Sequence, residues 1–114
     1  MKKILVPLAE GFEEIEAITI IDLLRRAGAE VIIASLNKRN VTGSHGLKVI
    51  ADTVLDEVLN DDFEMVVLPG GVPGAPNLMG DTRIIKLLKD QAAASKISAA
   101  ICAAPAVLQE AGLT

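Results

Sequence analysis

Residues 3–36 read KILVPLAEGFEEIEAITIIDLLRRAGAEVIIASL. The first six residues, 3–8, form a short apolar run that Pro7 and Gly11 interrupt, which predicts a buried strand. Helical periodicity follows over 13–27 and stops at Gly28, a natural residue for the position just past a helix. A second apolar run, 30–36, predicts another strand. Strand, helix, strand is the unit from which parallel sheets are built.

Outward from this unit the alternation continues. Residues 41–59 are less regular. Gly43, Gly46 and Asp52 suggest a small hairpin or excursion, then a short helix near 55–59. Residues 65–68 are an apolar strand ended by Pro69-Gly70-Gly71. A helix is predicted over 82–95, with Ile84, Ile85, Leu87 and Leu88 inward. Residues 97–101 predict a further strand. A last helix spans 104–111, with Pro105 in its first turn and Gly112 beyond its end. The expected fold is one α/β domain over 1–114, doubly wound around a mostly parallel sheet. Ligands of such sheets bind beyond the carboxyl ends of the strands. Residues 10–16, 69–74 and 102–105 fall at those ends and converge if their strands are neighbours.

Bulk properties narrow the function. The chain has 114 residues, 51% hydrophobic and 23% charged, so it suits one globular domain. Aromatic residues are 2%, which leaves the core to Ile, Leu, Val and Ala. The net charge is −4, with scattered cations and no basic stripe, which argues against nucleic acid. The longest apolar run, 97–108, is too short to span a bilayer, and residues 1–9 lack a full signal-peptide core. With one cysteine there is no internal disulfide. One Cys and one His give no metal-ligand cluster. A cytoplasmic protein without a metal or cofactor is expected.

Cys102 is the first candidate for chemistry. Small residues, Ala100 and Ala104, lie two before and two after it, as a nucleophile elbow requires where strand and helix approach closely. The turn would set the sulfur at the start of the next helix, where the dipole and unbonded N–H groups favour thiolate. The Ala103 N–H could face a developing oxyanion. A packed core cysteine is the competing reading, about equally good on this local sequence.

Glu13, Glu14 and Glu16 open the first helix. Favourable placement at a helix start accounts for Glu13 and Glu14. Glu16 heads a stripe through Ile20, Leu23, Leu24 and Ala27, and so should face the protein. A carboxyl group there must be hydrogen-bonded or protonated. Protonated, it could donate to a cysteine thiolate or shuttle a proton. In 69–74 (PGGVPG) the glycines are either turn formers or points of close backbone approach to a substrate. Neither a dinucleotide fingerprint nor a phosphate loop is present. His45, the only histidine, reads as a solvated loop residue.

Four stretches then resemble one family in order: 8–16 (LAEGFEEIE), 22–28 (DLLRRAG), 67–71 (VLPGG) and 99–105 (AAICAAP). They are similar to the ThiJ/PfpI superfamily, in the branch of the parkinsonism-associated deglycase and its bacterial relatives. The resemblance implies a flavodoxin-like three-layer sandwich, usually homodimeric. It implies a reactive, oxidisable Cys102, hydrogen-bonded by Glu16, with Gly71 and Ala103 as backbone donors around the sulfur. It further implies conversion of methylglyoxal-like 2-oxoaldehydes or repair of their adducts, or redox-sensing and chaperone roles. Where protease-like branches have histidine after the cysteine, this chain has Ala103, so peptidase activity is not expected. The family's later strands and helices, with its usual histidine near the cysteine, have no counterpart here, and His45 does not match that position. A second copy, or a complementary C-terminal polypeptide, is therefore an expected partner, and a non-catalytic interaction fragment is a third functional reading.

Overall fold

The computed structural model describes residues 2–113. Strand β1 (Lys3–Leu8) leads into helix α1 (Glu14–Arg26) and strand β2 (Glu30–Ser35). A hairpin of β3 (Asn40–Thr42) and β4 (Lys48–Ile50) comes next, then the two-residue β5 (Thr53–Val54) and a 3-10 turn, Leu55–Glu57. The remainder is β6 (Met65–Leu68), α2 (Gly74–Met79), α3 (Thr82–Ala93), β7 (Ile97–Ala100) and α4 (Pro105–Glu110).

The main sheet has the order β5-β2-β1-β6-β7 and every pairing in it is parallel. β1 matches β2 residue for residue, from Lys3 opposite Glu30 to Leu8 opposite Ser35. Its pairing with β6 covers only Ile4 and Leu5. Pro7 therefore does not break β1. It lies opposite Ala34, past the stretch that pairs with β6, where a missing N–H is tolerated.

The alternation of a strand divides the core into two layers. Leu5 of β1, Ala34 of β2, and Val66 and Leu68 of β6 face one side, where Ile84, Leu87 and Leu88 of α3 and Val107 of α4 pack on them. Ile4, Val6 and Leu8 of β1, Val31 and Ile33 of β2, and Val67 of β6 face the other, against Ala17 and Ile21 of α1. The only two aromatic side chains are split between the layers: Phe63 fills the first and Phe12 the second, each 1% exposed. The result is the three-layer, flavodoxin-like sandwich expected, with β1 buried on both faces. Each fully buried Leu, Ile or Val contributes about 1.5–3 kcal/mol.

Two local readings are corrected and one is qualified. Helix α2 falls where only a glycine-proline loop is expected; burial of Ala75 and Leu78 against the core outweighs a weak local helix signal. β7 forms where a strand is expected, but its apolar residues are only half-buried, and Ile97 is 59% exposed. The buried face of α1 consists of Glu14, Ala17 and Ile21, whereas Leu23 is 59% exposed. Seven of the thirteen α1 residues are apolar, so the sequence permits several stripes and the sheet selects one. No helix among the described residues is long and apolar enough to cross a membrane. No group of three or more metal-ligating side chains occurs among them either.

Candidate functional site

β7 ends at Ala100 and α4 begins at Pro105. The connection turns within four residues, with the Ala104 N–H donating to the Ile101 carbonyl at 3.0 Å. Cys102 sits in this turn at φ 59°, in the left-handed region. For a residue with a Cβ that conformation costs on the order of 1–2 kcal/mol, and a strained strand-to-helix turn of this kind exposes the side chain it carries. The Cys102 thiol is exposed, which removes the packed-core reading. Ala104 is fully buried beneath the turn, as close strand–helix contact demands.

Glu16 approaches the same turn from α1. Its Oε1 accepts the Gly70 N–H at 3.0 Å. Gly70 follows β6 and is the contact between the two candidates. A Cβ added there would lie 2.7 Å from Glu16 Oε1, 2.8 Å from the Ile101 carbonyl oxygen and 2.9 Å from Cys102 Cβ. No side chain fits such a space, so only glycine lets the carboxylate and the cysteine flank the end of β6. Gly70 is missing from the residues singled out in the sequence, where the glycines of 69–74 are read as turn formers or as points of close approach to a substrate, not as the contact between Glu16 and Cys102.

Gly71, at φ 110°, packs elsewhere. A Cβ on it would meet the Glu13 nitrogen at 2.5 Å and the Gly11 carbonyl oxygen at 2.6 Å. Its close neighbour is thus the β1–α1 loop, which the Glu13 N–H fastens to the Gly70 carbonyl at 2.9 Å. The N–H groups of Gly71 and Ala103 donate no hydrogen bond among the described residues. Residues 10–16, 69–74 and 102–105 do converge at the carboxyl end of the sheet, around Gly70.

His45 and Glu14 form a separate cluster. The Glu14 side chain is 11% exposed, and Glu14 is not the solvated helix-start acid its sequence position suggests. It reaches into the β3–β4 hairpin and accepts the His45 N–H at 2.7 Å, the Leu47 N–H at 3.2 Å and the Ser44 hydroxyl at 3.4 Å. His45 Nδ1 lies 2.9 Å from Glu14 Oε1, while the rest of the ring is open to solvent. The hairpin thus has its tip bound to α1 through one carboxylate. The signal available in the sequence was the spacing Glu14, Ala17, Ile21, which heads the stripe that α1 does bury.

These groups perturb one another. Burial pushes the Glu14 carboxyl upward. The bonds from the His45 side chain, from its own N–H and from the His45 and Leu47 N–H groups outweigh this and hold its pKa at about 2, below its ordinary 4.5. The same bond from Glu14, with its charge, raises His45 above its ordinary 6.5.

Parallel strands ordered β2-β1-β6-β7, stepping outward from a central β1 in the flavodoxin manner, with a cysteine on a strained turn after the outer strand, define a class of α/β cysteine proteins. Within that class, the chain belongs to the DJ-1/PfpI family, whose model matches residues 2–114. It is 43% identical over 107 residues to protein DJ-1 homolog B of Arabidopsis thaliana, covering 93% of this chain and 24% of the relative. It is 36% identical over 112 residues to a deglycase of Thermococcus kodakarensis, covering 97% of this chain and 66% of the relative. Among solved structures, oxidized DJ-1 of Toxoplasma gondii superposes with a TM-score of 0.96 at 46% identity, over 99% of this chain and 62% of that one. The chain therefore spans between about a quarter and two thirds of the proteins it resembles.

The Glu14–His45 cluster makes stability depend on pH in a defined window. A carboxylate held down from 4.5 stabilises fully above about pH 4.5 and loses its contribution as pH falls toward about 2. A histidine raised from 6.5 stabilises fully below about pH 6.5 and loses its contribution as pH rises through its raised value. The melting-temperature difference between wild type and Glu14→Gln is expected to be largest between these bounds and to shrink on both sides. A difference independent of pH would contradict the arrangement.

Proposed function

We propose that Cys102 is the nucleophile of a deglycase-type or glyoxalase-type site for methylglyoxal-like 2-oxoaldehydes and their adducts. The observation that carries this reading is the flanking of Gly70 by Glu16 Oε1 and Cys102. A deglycase among the relatives supports it.

The Cys102 thiolate adds to the aldehyde carbon, forming a C–S bond and an oxyanion. The unbonded N–H groups of Gly71 and Ala103 are the backbone donors assigned to that oxyanion. Protonation gives a hemithioacetal. Glu16 removes the proton from the carbon bonded to sulfur and returns it to the adjacent carbon, so the former aldehyde becomes a thioester and the former ketone an alcohol. Water then cleaves the C–S bond, releasing the 2-hydroxy acid and the thiol. The net reaction is 2-oxoaldehyde plus water to 2-hydroxy acid, with no external oxidant or cofactor.

A redox reading shares the same residue. The exposed thiol can be oxidised to sulfenic or sulfinic acid, and the oxidized Toxoplasma relative favours it. The protein would act in the cytoplasm, as a homodimer or with a complementary polypeptide. Ile15 and Ile18 on α1 and Leu47 and Ile50 on the hairpin are 75%, 42%, 49% and 70% exposed, an apolar set suited to a second copy.

Lactate formation from methylglyoxal is expected for wild type and lost in Cys102→Ser, Glu16→Gln and Gly70→Ala; equal rates in all four would end the catalytic reading. Mild peroxide followed by mass spectrometry should place oxygen on Cys102, and an unmodified thiol speaks against the redox reading. In light scattering, Ile15→Glu should reduce the molar mass of the assembly to that of one chain, whereas a monomeric wild type removes the dimer.

A further inference from the structure

The carboxyl ends of β1 and β2 open onto a cavity about 550 Å³ in volume, within the range of small-molecule sites. Cys102, Glu16, Gly70 and Gly71 do not line it. Ser35, the last residue of β2, lines its inner end and is 1% exposed. Its Oγ has no hydrogen-bond partner among the described residues. A buried hydroxyl without a partner costs about 1–3 kcal/mol, so this position favours an incoming polar group.

The rest of the lining says which group. Asn37, Asn40 and Asn77 contribute amides, Lys38 an ammonium and Glu10 a carboxylate. Two of these are anchored: Asn77 Nδ2 donates to the Glu10 carbonyl at 2.9 Å, and Glu10 Oε2 accepts the Thr42 N–H at 3.2 Å. Asp81 also borders the cavity, but Arg83 engages both its oxygens, through Nε at 3.0 Å and Nη2 at 2.6 Å.

An anionic ligand would meet the Glu10 carboxylate as well as Lys38. A cationic ligand would meet Lys38. An apolar ligand would leave the Asn37 and Asn40 amides and the Ser35 hydroxyl without partners. Amides both donate and accept, the ammonium only donates and the carboxylate only accepts. Such a mixture fits a neutral molecule whose every polar group also does both. We propose that this cavity binds a small neutral polyhydroxyl compound, of the size of a monosaccharide or sugar alcohol, apart from the chemistry at Cys102.

Methyl glucoside and sorbitol are the probes, because neither has a free carbonyl to react at Cys102. Titrated into the isotope-labelled 114-residue chain, they are expected to shift backbone amides of 35–41 and 77–81 saturably at millimolar concentration. The exposed Asn37→Ala change should weaken the apparent affinity roughly tenfold without altering the melting temperature, and Ser35→Ala should weaken it in the same direction. Shifts that fail to saturate, tighter binding of gluconate or inorganic phosphate than of sorbitol, or shifts centred on the Cys102 turn would each overturn the assignment. Loss of methylglyoxal conversion in Cys102→Ser leaves these titrations unchanged, so the two sites are tested separately.

Discussion

Burial of β1 on both faces is the constraint from which the rest of the molecule is arranged. Leu5 is buried in one layer and Ile4, Val6 and Leu8 in the other. With no face left for solvent, the strand fixes where its following loop emerges. That loop is then held from both sides: the Gly11 N–H donates to Thr42 of the hairpin at 2.8 Å, and the Gly11 carbonyl accepts from Gly74 at 3.1 Å. Helix α1 starts from a rigid point. Glu14 and Glu16, two residues apart and so roughly 200° apart around the helix, are directed to opposite duties. One carboxylate holds the hairpin, and the other meets the end of β6.

Much of the architecture was legible in the sequence because parallel strands buried on both faces appear as unbroken apolar runs. KILVPL, EVIIAS and MVVL need no partner information to be recognised. Of the candidate site, the sequence offered two side chains, Cys102 from its small neighbours and Glu16 from the family pattern, and the structure brings both against Gly70. What escaped the sequence was contact at a distance. Gly70 matters because three chain segments meet at its Cα, a fact carried by no local pattern. Glu14 was masked by an α1 sequence apolar enough to offer two stripes, and only the sheet decides between them. Helix α2 was masked by Gly74 and Pro76, whose weak propensity is overruled by burial of Ala75 and Leu78.

The carboxyl edge of the sheet divides its work by strand. Between β7 and α4 the backbone turns sharply and presents one exposed thiol, at the cost of a left-handed residue. Beyond β1 and β2 the chain presents several polar groups around a hollow. Strain and close approach suit covalent chemistry, in which geometry must be set before the substrate arrives. A hollow with redundant hydrogen-bonding groups suits reversible occupancy. Both lie against the β1–α1 loop, the hollow through Glu10 and the end of β6 through Gly71.

The two margins of the sheet differ in kind. At one, β5 offers two residues, too short a rail for another strand to follow. At the other, β7 carries four residues, with Ile97 and the adjoining Ile101 open to solvent. Pairing can therefore be extended in one direction only. Any strand that joins this sheet must come alongside β7, next to the turn that carries the cysteine, and would register itself against the site as it docks.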